Sequence, residues 1–396
     1  MPPLGRRVLP TTRGVALGAS IILAITPAVK RFPVWGLHPS LAPGRAFPEP
    51  HPMNNESSDG ALPLTMRAAV ITGPGGPEVL RIEQRPVPAP APGEILIRVH
   101  GSAMNRADVL QRQGRYPPPP GAPADIPGME FAGVVVAGGA GATRWRPGDR
   151  VFGLVAGGAH ADYAVAHEST VCAIPETLDW DAASAVPEAF ITASDALDQA
   201  RAAAGDAVLI HAVASGVGLA AVQLVRARGG IALGTSRSAA KMARARELGM
   251  TDGFDAASGL DALPQWVRDR TGGKGANVAL DLVGGAYLRP TLDALAPGGR
   301  VMLIGTVAGA EATLSLGTIL RKRLTIRGTV LHSRALEERA HDARAFAERV
   351  VPLLAAATVK PVIDRVFTLD EIAEAHRVIE SNTTEGKVVL RMTSDR

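Results

Sequence analysis

The feature that most constrains the fold of this chain is a glycine-rich turn between an apolar strand and an alanine-rich helix. The strand is predicted over residues 206–213, and residues 216–221 read GVGLAA. In this Gly-x-Gly-x-x-Ala spacing the first glycine allows a tight turn, the second admits a pyrophosphate against the backbone, and the small third residue lets helix and strand pack closely. The helix N-terminus offers free N–H groups to phosphates. We predict a dinucleotide site with contacts from Ser215, Gly216, Val217 and Gly218.

Around this turn, short apolar strands alternate with alanine-rich helices from about residue 181 onward. The strands read AVLIHAV, IALGTS, VALDLVG and RVMLIGTV. This βαβ alternation is typical of an open parallel sheet covered by helices. We therefore predict an α/β protein with a doubly wound cofactor domain over residues 187–331.

A β-rich region precedes the cofactor domain over residues 66–186. Val, Ile and Leu cluster there between Gly and Pro breaks, as in RAAVI, VLRIEQRPVP and EILIRVH, a pattern typical of an all-β or barrel-like unit. After His332 the pattern predicts one long helix from Ala335 to about Ala357, then strand, helix and strand. We predict that residues 332–396 complete the β-rich domain, so that the cofactor domain is inserted within it.

Residues 1–65 lack this periodicity and hold 11 of the 31 prolines. Their one apolar run, residues 15–29, is shorter than the roughly 20 residues of a membrane-spanning helix, although basic residues before it resemble a signal peptide. Three interpretations stay open: a disordered tail or a start assigned too early, with Met53 or Met66 as the true start; an export or transit segment; or a membrane anchor. We expect a dispensable extension, no stable membrane insertion and a cytoplasmic protein.

Charge and cysteine content exclude several classes of partner. Residues 1–65 carry six Lys and Arg against three Asp and Glu, so the rest of the chain is close to neutral despite a net charge of +4. Such a body lacks the basic surface that binds nucleic acid. The single cysteine, Cys172, excludes a disulfide framework and a cysteine-rich metal site.

The end of the second predicted strand of the cofactor domain indicates which dinucleotide binds. An NAD site places an Asp or Glu about 20 residues beyond the glycine turn, to accept from the ribose 2′-hydroxyl. Here residues 234–238 read GTSRS and Lys241 follows, without an acid. Hydroxyls and cations suit a 2′-phosphate, because charge-assisted hydrogen bonds contribute roughly 1.5–3 kcal/mol each. We predict NADPH as the cofactor, with Ser236 and Lys241 among its contacts.

Several segments resemble the medium-chain dehydrogenase/reductase superfamily. More narrowly they are similar to its quinone oxidoreductase branch, which includes zeta-crystallin and the tumour-suppressor-inducible quinone oxidoreductase of animals. The likeness covers residues 66–396, and its most specific part is SAMNRADVLQRQGRYPPPPG at 102–121, with support from PGMEFAGVV, HAVASGVGLAAVQL and EGKVVL.

The resemblance implies a GroES-like catalytic domain, a Rossmann cofactor domain and an active site in the cleft between them. It also implies cofactor contacts at Gly284, Gly305 and Lys387. It further implies a homodimer joined through the outer strands of the two cofactor domains, which is consistent with the need to cover an apolar sheet edge.

Zinc-dependent members of the superfamily supply Cys, His and Cys where this chain has Asn105, Met129 and, approximately, Glu188. They also insert a four-cysteine lobe that is missing here. Amide and thioether groups are poor zinc ligands, so we expect no bound metal. Without a Lewis acid an alcohol is not readily deprotonated, and the expected reaction is hydride transfer to a quinone or similar conjugated carbonyl.

Three residues are candidates for the catalytic site. Asn105 can bond the acceptor oxygen, or it can simply cap the helix that starts near Arg106. Tyr116 can lie against the nicotinamide or the acceptor, which makes it a cofactor contact as well, or it can pack within its loop. The resemblance puts Thr192 near the nicotinamide, although an ordinary helix hydroxyl is an equally good interpretation. Glu188 can simply be a structural carboxylate. Because neither an amide nor a phenol titrates near neutral pH, we expect protons to come from water.

Two alternatives to a quinone reductase stay open. The same scaffold can reduce a conjugated alkenal or an enoyl thioester, since loops shape the acceptor pocket. A non-catalytic, NADPH-binding structural or regulatory protein is the alternative of a different class.

Overall fold

The computed structural model describes residues 62–392. The predicted extension over residues 1–65 therefore lies almost wholly outside the described part, and its role stays a prediction. The first strand begins at Thr65, one residue before the expected onset of the folded pattern at Met66. None of the helices described is long and apolar enough to cross a membrane.

The strands, in chain order, are β1 (Thr65–Ile71), β2 (Leu80–Pro86), β3 (Glu94–Ala103), β4 (Glu130–Gly138), β5 (Arg150–Leu154), β6 (Tyr163–His167), β7 (Val171–Ala173), β8 (Ala207–Ile210), β9 (Ile231–Ser236), β10 (Asp252–Asp255), β11 (Ala276–Asp281), β12 (Leu295–Leu303), β13 (Thr325–Gly328), β14 (Ile363–Thr368) and β15 (Lys387–Arg391). The helices are α1 (Arg106–Arg112), α2 (Trp180–Ser184), α3 (Pro187–Gln199), α4 (Gly216–Ala227), α5 (Met242–Glu247), α6 (Leu263–Arg270), α7 (Leu288–Ala294), α8 (Leu316–Lys322), α9 (Leu336–Arg349), α10 (Val351–Ala355) and α11 (Ile372–Glu380).

The cofactor domain is a six-stranded sheet in the order β10-β9-β8-β11-β12-β13, in which every neighbouring pair is parallel. All four residues of β8 are buried, as expected of a central strand covered by helices on both faces. The strand order reverses between β8 and β11, and ligands of doubly wound sheets bind at the carboxyl end of such a switch point. The predicted α/β class with a doubly wound domain is confirmed.

The β-rich domain contains a seven-stranded sheet in the order β14-β15-β3-β4-β5-β7, with β6 also paired to β3, and a separate pair β1–β2. The last strand joins from the far end of the chain, because Val389 of β15 pairs antiparallel with Ala103 of β3. This pairing brings Lys387, at the start of β15, beside the segment that leads into α1.

One apolar core extends through both domains. Phe152 of β5, Phe190 of α3, Val222 of α4 and Phe346 of α9 belong to the same buried cluster, and the rings of Phe152 and Phe346 meet edge to face at 6.0 Å. Burial of a phenylalanine side chain contributes about 1.5–3 kcal/mol. Because α3 and α9 contribute to this shared core, it holds the two domains together around the cleft.

The prediction of a single long helix after His332 was wrong in one respect. The segment forms two helices, α9 and α10, which are separated at Val350. Pro352 lies in the first turn of α10, where its missing N–H is tolerated, whereas a continuous helix would put the proline ring against a preceding carbonyl.

Candidate active site

A buried lysine lies at the centre of the candidate site. The ammonium of Lys387 donates to Met104 O at 3.0 Å, to Asn105 Oδ1 at 2.6 Å and to Glu130 Oε1 at 2.7 Å. These three bonds use all three donors of the ammonium. Direct contact between the Lys387 charge and a phosphate would therefore require one of these bonds to break.

Asn105 occupies the N-cap position of α1, and its side chain is fully engaged. Its Nδ2 donates to Glu130 Oε1 at 2.8 Å and to Ala103 O at 3.2 Å, while its Oδ1 accepts from Lys387. At the N-terminus of α1 the Asn105 backbone N–H donates to Asp108 Oδ2 at 2.7 Å. The expected capping position is therefore present, and both side-chain N–H groups are already used within the protein.

Glu130 connects this group to α3. Its Oε1 accepts from Asn105 and Lys387, and its Oε2 accepts from the backbone N–H of Glu188 at 2.8 Å, in the first turn of α3. A carboxylate is favoured there by the partial positive charge of a helix N-terminus. Sequence analysis missed Glu130, although a charged residue at the start of an apolar strand was a usable signal.

Glu188 and Thr192 lie one turn apart on α3. The Thr192 hydroxyl donates to Glu188 Oε1 at 3.2 Å. Burial, and next the negative charge of Glu130, raise the pKa of Glu188 to about 7. Burial beside another carboxylate therefore favours the neutral form of Glu188 more than water does.

Tyr116 meets a histidine that sequence analysis did not single out. The Tyr116 hydroxyl lies 2.6 Å from Nδ1 of His332, and the two rings are tilted against each other with centroids 4.5 Å apart. Burial, followed by the charges of Glu188 and Asp108, raises the pKa of Tyr116 to about 12. Nothing local distinguishes His332 in the sequence, because it lies in a turn before a helix.

A small cavity of about 30 Å³ adjoins these residues. Met129, Glu188 and His332 are among the residues that line it. The structure thus brings together Tyr116, His332, Glu188 and Thr192, while Asn105 joins the same group through Glu130.

The predicted glycine turn leads from β8 into α4. Ser215 caps α4 by accepting from the Gly218 N–H at 3.1 Å. A Cβ on Gly218 would lie 2.6 Å from both Ala212 O and Val213 O, so no larger residue fits there. A Cβ on Gly216 would lie 2.5 Å from Cδ of Lys387.

The ends of the neighbouring strands also approach each other through glycines. Gly284 has a φ of +68°, and a Cβ there would lie 3.0 Å from Gly305 O. A Cβ on Gly305 would lie 2.6 Å from Leu282 O. The loops after β11 and β12 therefore meet backbone to backbone at the carboxyl end of the parallel sheet, which is the end at which doubly wound sheets bind dinucleotides.

At the end of β9 the predicted phosphate contacts are already engaged within the protein. The Ser236 hydroxyl accepts from the Ser238 N–H at 3.1 Å. Lys241 donates to Asn382 O at 2.6 Å and to Thr384 O at 3.1 Å. Lys241 thus bridges the cofactor domain to the turn before β15, and its ammonium retains a third donor.

The positions that hold zinc in other superfamily members carry an amide, a thioether and a carboxylate here. Met129 is buried, and Asn105 is held by Lys387 and Glu130. Within residues 62–392, no group of three or more His, Cys, Asp and Glu side chains is arranged to hold a metal ion.

Comparison with known proteins identifies relatives along most of the chain. Residues 91–176 match the family described as alcohol dehydrogenase GroES-like domain, and residues 216–349 match the one described as zinc-binding dehydrogenase. The quinone oxidoreductase of Rattus norvegicus is 33% identical over 332 residues, which cover 82% of this chain and 97% of the relative. The synaptic vesicle membrane protein VAT-1 homolog of Homo sapiens is 29% identical and covers 82% of this chain and 86% of its own length.

Solved structures are similar over the same extent. A quinone oxidoreductase of Pseudomonas syringae matches with a TM-score of 0.74 and 28% identity, and the match covers 83% of this chain and 100% of that one. An NAD-dependent alcohol dehydrogenase matches with a TM-score of 0.73, 30% identity and the same coverage.

The fold and the site together define a pyridine-nucleotide-dependent oxidoreductase. The chain belongs to the medium-chain dehydrogenase/reductase superfamily, with zeta-crystallin-like quinone oxidoreductases as its relatives. The predicted family and the prediction of an enzyme are both confirmed.

Proposed function

We propose that this protein uses NADPH to reduce a quinone or similar conjugated carbonyl, without zinc. The observation that carries the proposal is the Lys387 ammonium, 2.6 Å from Asn105 Oδ1 and 2.7 Å from Glu130 Oε1. A zinc ion bound at Asn105 would lie next to another cation in a buried setting, where repulsion between charges is strong. The donor set at Asn105 and Met129 does not fit zinc.

The proposed substrate class follows from the groups around the cleft. NADPH supplies the hydride. Without a Lewis acid, the acceptor has to delocalise the negative charge that it receives, as quinones and enones do. We propose that Tyr116 orients the acceptor and hydrogen-bonds its oxygen, and that Thr192 holds the nicotinamide side of the cleft together with Glu188.

The structure refines the role that we propose for Asn105. Because its two side-chain N–H groups bind Ala103 and Glu130, it is better suited to positioning than to donating to the acceptor. It holds the Lys387 cation near the cleft, and a fixed positive charge stabilises an anion that develops nearby.

The proposed preference for NADPH over NADH depends on the end of β9. No acid follows that strand before Lys241, while Ser236 and Lys241 offer a hydroxyl and a cation. The proposed contacts for the rest of the NADPH molecule are the turn at Ser215–Gly218 and the glycines at 284 and 305.

The test is a measurement of NADPH and NADH oxidation by purified protein with quinones, alkenals and enoyl thioesters. We expect the highest kcat/KM with NADPH and a quinone. A clear preference for enoyl thioesters would assign the alternative substrate class, and turnover only with a zinc supplement and an alcohol would refute the proposal.

We also propose a homodimer joined along β13. This strand ends the six-stranded sheet, and Leu320 and Leu316 of the adjacent α8 are exposed, as is Val330. An unpaired edge strand beside exposed apolar side chains is a liability unless it is covered. Sedimentation should give twice the chain mass at micromolar concentration, and Leu320→Arg should shift the protein towards a monomer. A wild-type monomer under the same conditions would refute this proposal.

A further inference from the structure

We propose that His332 supplies Tyr116 with the proton that Tyr116 passes to the reduced acceptor. The inference rests on the proposed function and extends it to the source of the proton. The sequence alone predicts that protons come from water, because neither Asn105 nor Tyr116 titrates near neutral pH. The structure adds an imidazole, which does.

The contact between the two side chains is well suited to proton transfer. The Tyr116 hydroxyl and His332 Nδ1 are 2.6 Å apart, which is short for a hydrogen bond between oxygen and nitrogen. The tilted ring contact at 4.5 Å holds both rings in place. Both side chains are half-buried, so solvent reaches part of the pair.

The turn that carries His332 is anchored by Arg334. This guanidinium donates to Asp195 Oδ1 at 3.0 Å and Oδ2 at 2.8 Å, to Asp342 Oδ2 at 2.6 Å and to Thr329 Oγ1 at 2.6 Å. The turn is closed by the Arg334 N–H, which donates to Leu331 O at 3.2 Å. These bonds join the turn to α3 and α9 and hold the imidazole against Tyr116.

Each bond to hydrogen that breaks in this transfer is matched by one that forms. Addition of hydride leaves a negative charge on the acceptor oxygen. The Oη–H bond of Tyr116 breaks and its proton binds that oxygen, while the Nδ1–H bond of the His332 imidazolium breaks and its proton binds Tyr116 Oη. Neutral imidazole then takes a proton from solvent, so each turnover consumes one hydride and one solvent proton.

Burial distinguishes the acidities of the two side chains. The charged side chains that line the cavity with His332 are Glu188 from α3 and Arg339 and Asp342 from α9. Burial lowers the pKa of His332 and raises that of Tyr116. The imidazolium is therefore the stronger acid of the pair, and transfer from Nδ1 to a tyrosinate is favourable. His332 acts through Tyr116 and is a positioning residue rather than a catalytic one.

The first arm of the test needs no cofactor. The His332 ring is titrated by NMR in the wild-type protein and in Tyr116→Phe, with His332→Asn to assign its signals. Because Tyr116 Oη accepts a hydrogen bond from the imidazolium, loss of this hydroxyl in Tyr116→Phe should lower the pKa of His332. An unchanged or raised pKa would overturn the inference, whether or not the protein turns over NADPH.

The second arm measures single-turnover reduction against pH. The wild-type rate should rise as pH falls through the NMR pKa of His332, with a solvent isotope effect. Asparagine can keep a hydrogen bond at the Nδ1 position without titrating, so His332→Asn should lose the inflection and be about tenfold slower at low pH. His341→Asn, an exposed histidine on α9, is the matched control and should behave as wild type.

The two proposals fail in different ways. A wild-type protein that oxidises no NADPH with any acceptor removes the proposed function. An active wild-type protein whose pH profile is the same as that of His332→Asn removes this inference alone.

Discussion

Lys387 Nζ lies 2.7 Å from Glu130 Oε1, and both side chains are almost completely withdrawn from solvent. The two residues are 257 positions apart in the chain. Their contact joins β15 to β4, and the bond from Glu130 to the Glu188 N–H extends the connection to α3. The same ion pair therefore supports the catalytic-domain sheet and the entrance to the cofactor domain.

Removal of one partner should be costly. Lys387→Met leaves Glu130 buried without its cation, and loss of one member of a buried pair costs about 3–5 kcal/mol. Urea unfolding should show this loss for Lys387→Met and a smaller one for Lys387→Met with Glu130→Leu. If the two variants lose the same stability, the pair is not coupled as the structure indicates.

Gly218→Ala should reduce stability and cofactor binding together. The added methyl group would lie 2.6 Å from two backbone carbonyls, and such overpacking costs about 1–3 kcal/mol. Gly73→Ala is the matched control, because a Cβ there has no neighbour within 4 Å. Thermal melting and NADPH titration check both variants, and a wild-type melting temperature for Gly218→Ala would contradict the turn geometry.

Lys241→Ala should weaken the binding of NADPH more than the binding of NADH. The lost cation removes about 1.5–3 kcal/mol of charge-assisted bonding to a 2′-phosphate, which corresponds to at least a tenfold rise in KM. Steady-state kinetics with both cofactors provide the measurement. Lys241 also binds Asn382 O and Thr384 O, so equal losses for NADPH and NADH would assign it to domain bridging instead.

His376→Leu should stabilise the protein, most strongly in acid. His376 is buried, and among the described residues neither ring nitrogen has a hydrogen-bond partner. Burial, then the charges of His160 and Arg112, lower its pKa far below the usual 6.5. The unfolded chain therefore binds a proton that the folded protein excludes, and the wild type loses stability as pH falls below 6.5.

The size of this effect follows from proton linkage. The gain from His376→Leu should grow by about 1.4 kcal/mol for each pH unit below 6.5. Unfolding at pH 7.5 and pH 5 measures it, with His341→Leu as the exposed control. A gain that does not depend on pH would show that His376 is protonated in the folded protein.

Sequence analysis succeeded where a pattern is local. The alternation of strands and helices predicted the parallel sheet, and the family motifs predicted the oxidoreductase. It failed at Val350, where a helical composition concealed the break before Pro352. It also missed Glu130 and His332, because a polar residue in a strand or a turn has no evident partner until the fold is known.

By itself, the sequence determined the glycine turn at residues 216–221, the doubly wound domain and the absence of an acid between Ser236 and Lys241, since each depends on residues close together in the chain. Only the tertiary structure decided that Lys387 holds Asn105 and Glu130, and that Tyr116 meets His332, 216 positions away. The physical reason is that a hydrogen bond depends on the distance between two atoms to within a few tenths of an ångström. Residue spacing along a chain does not specify that distance until both domains have folded around their shared core.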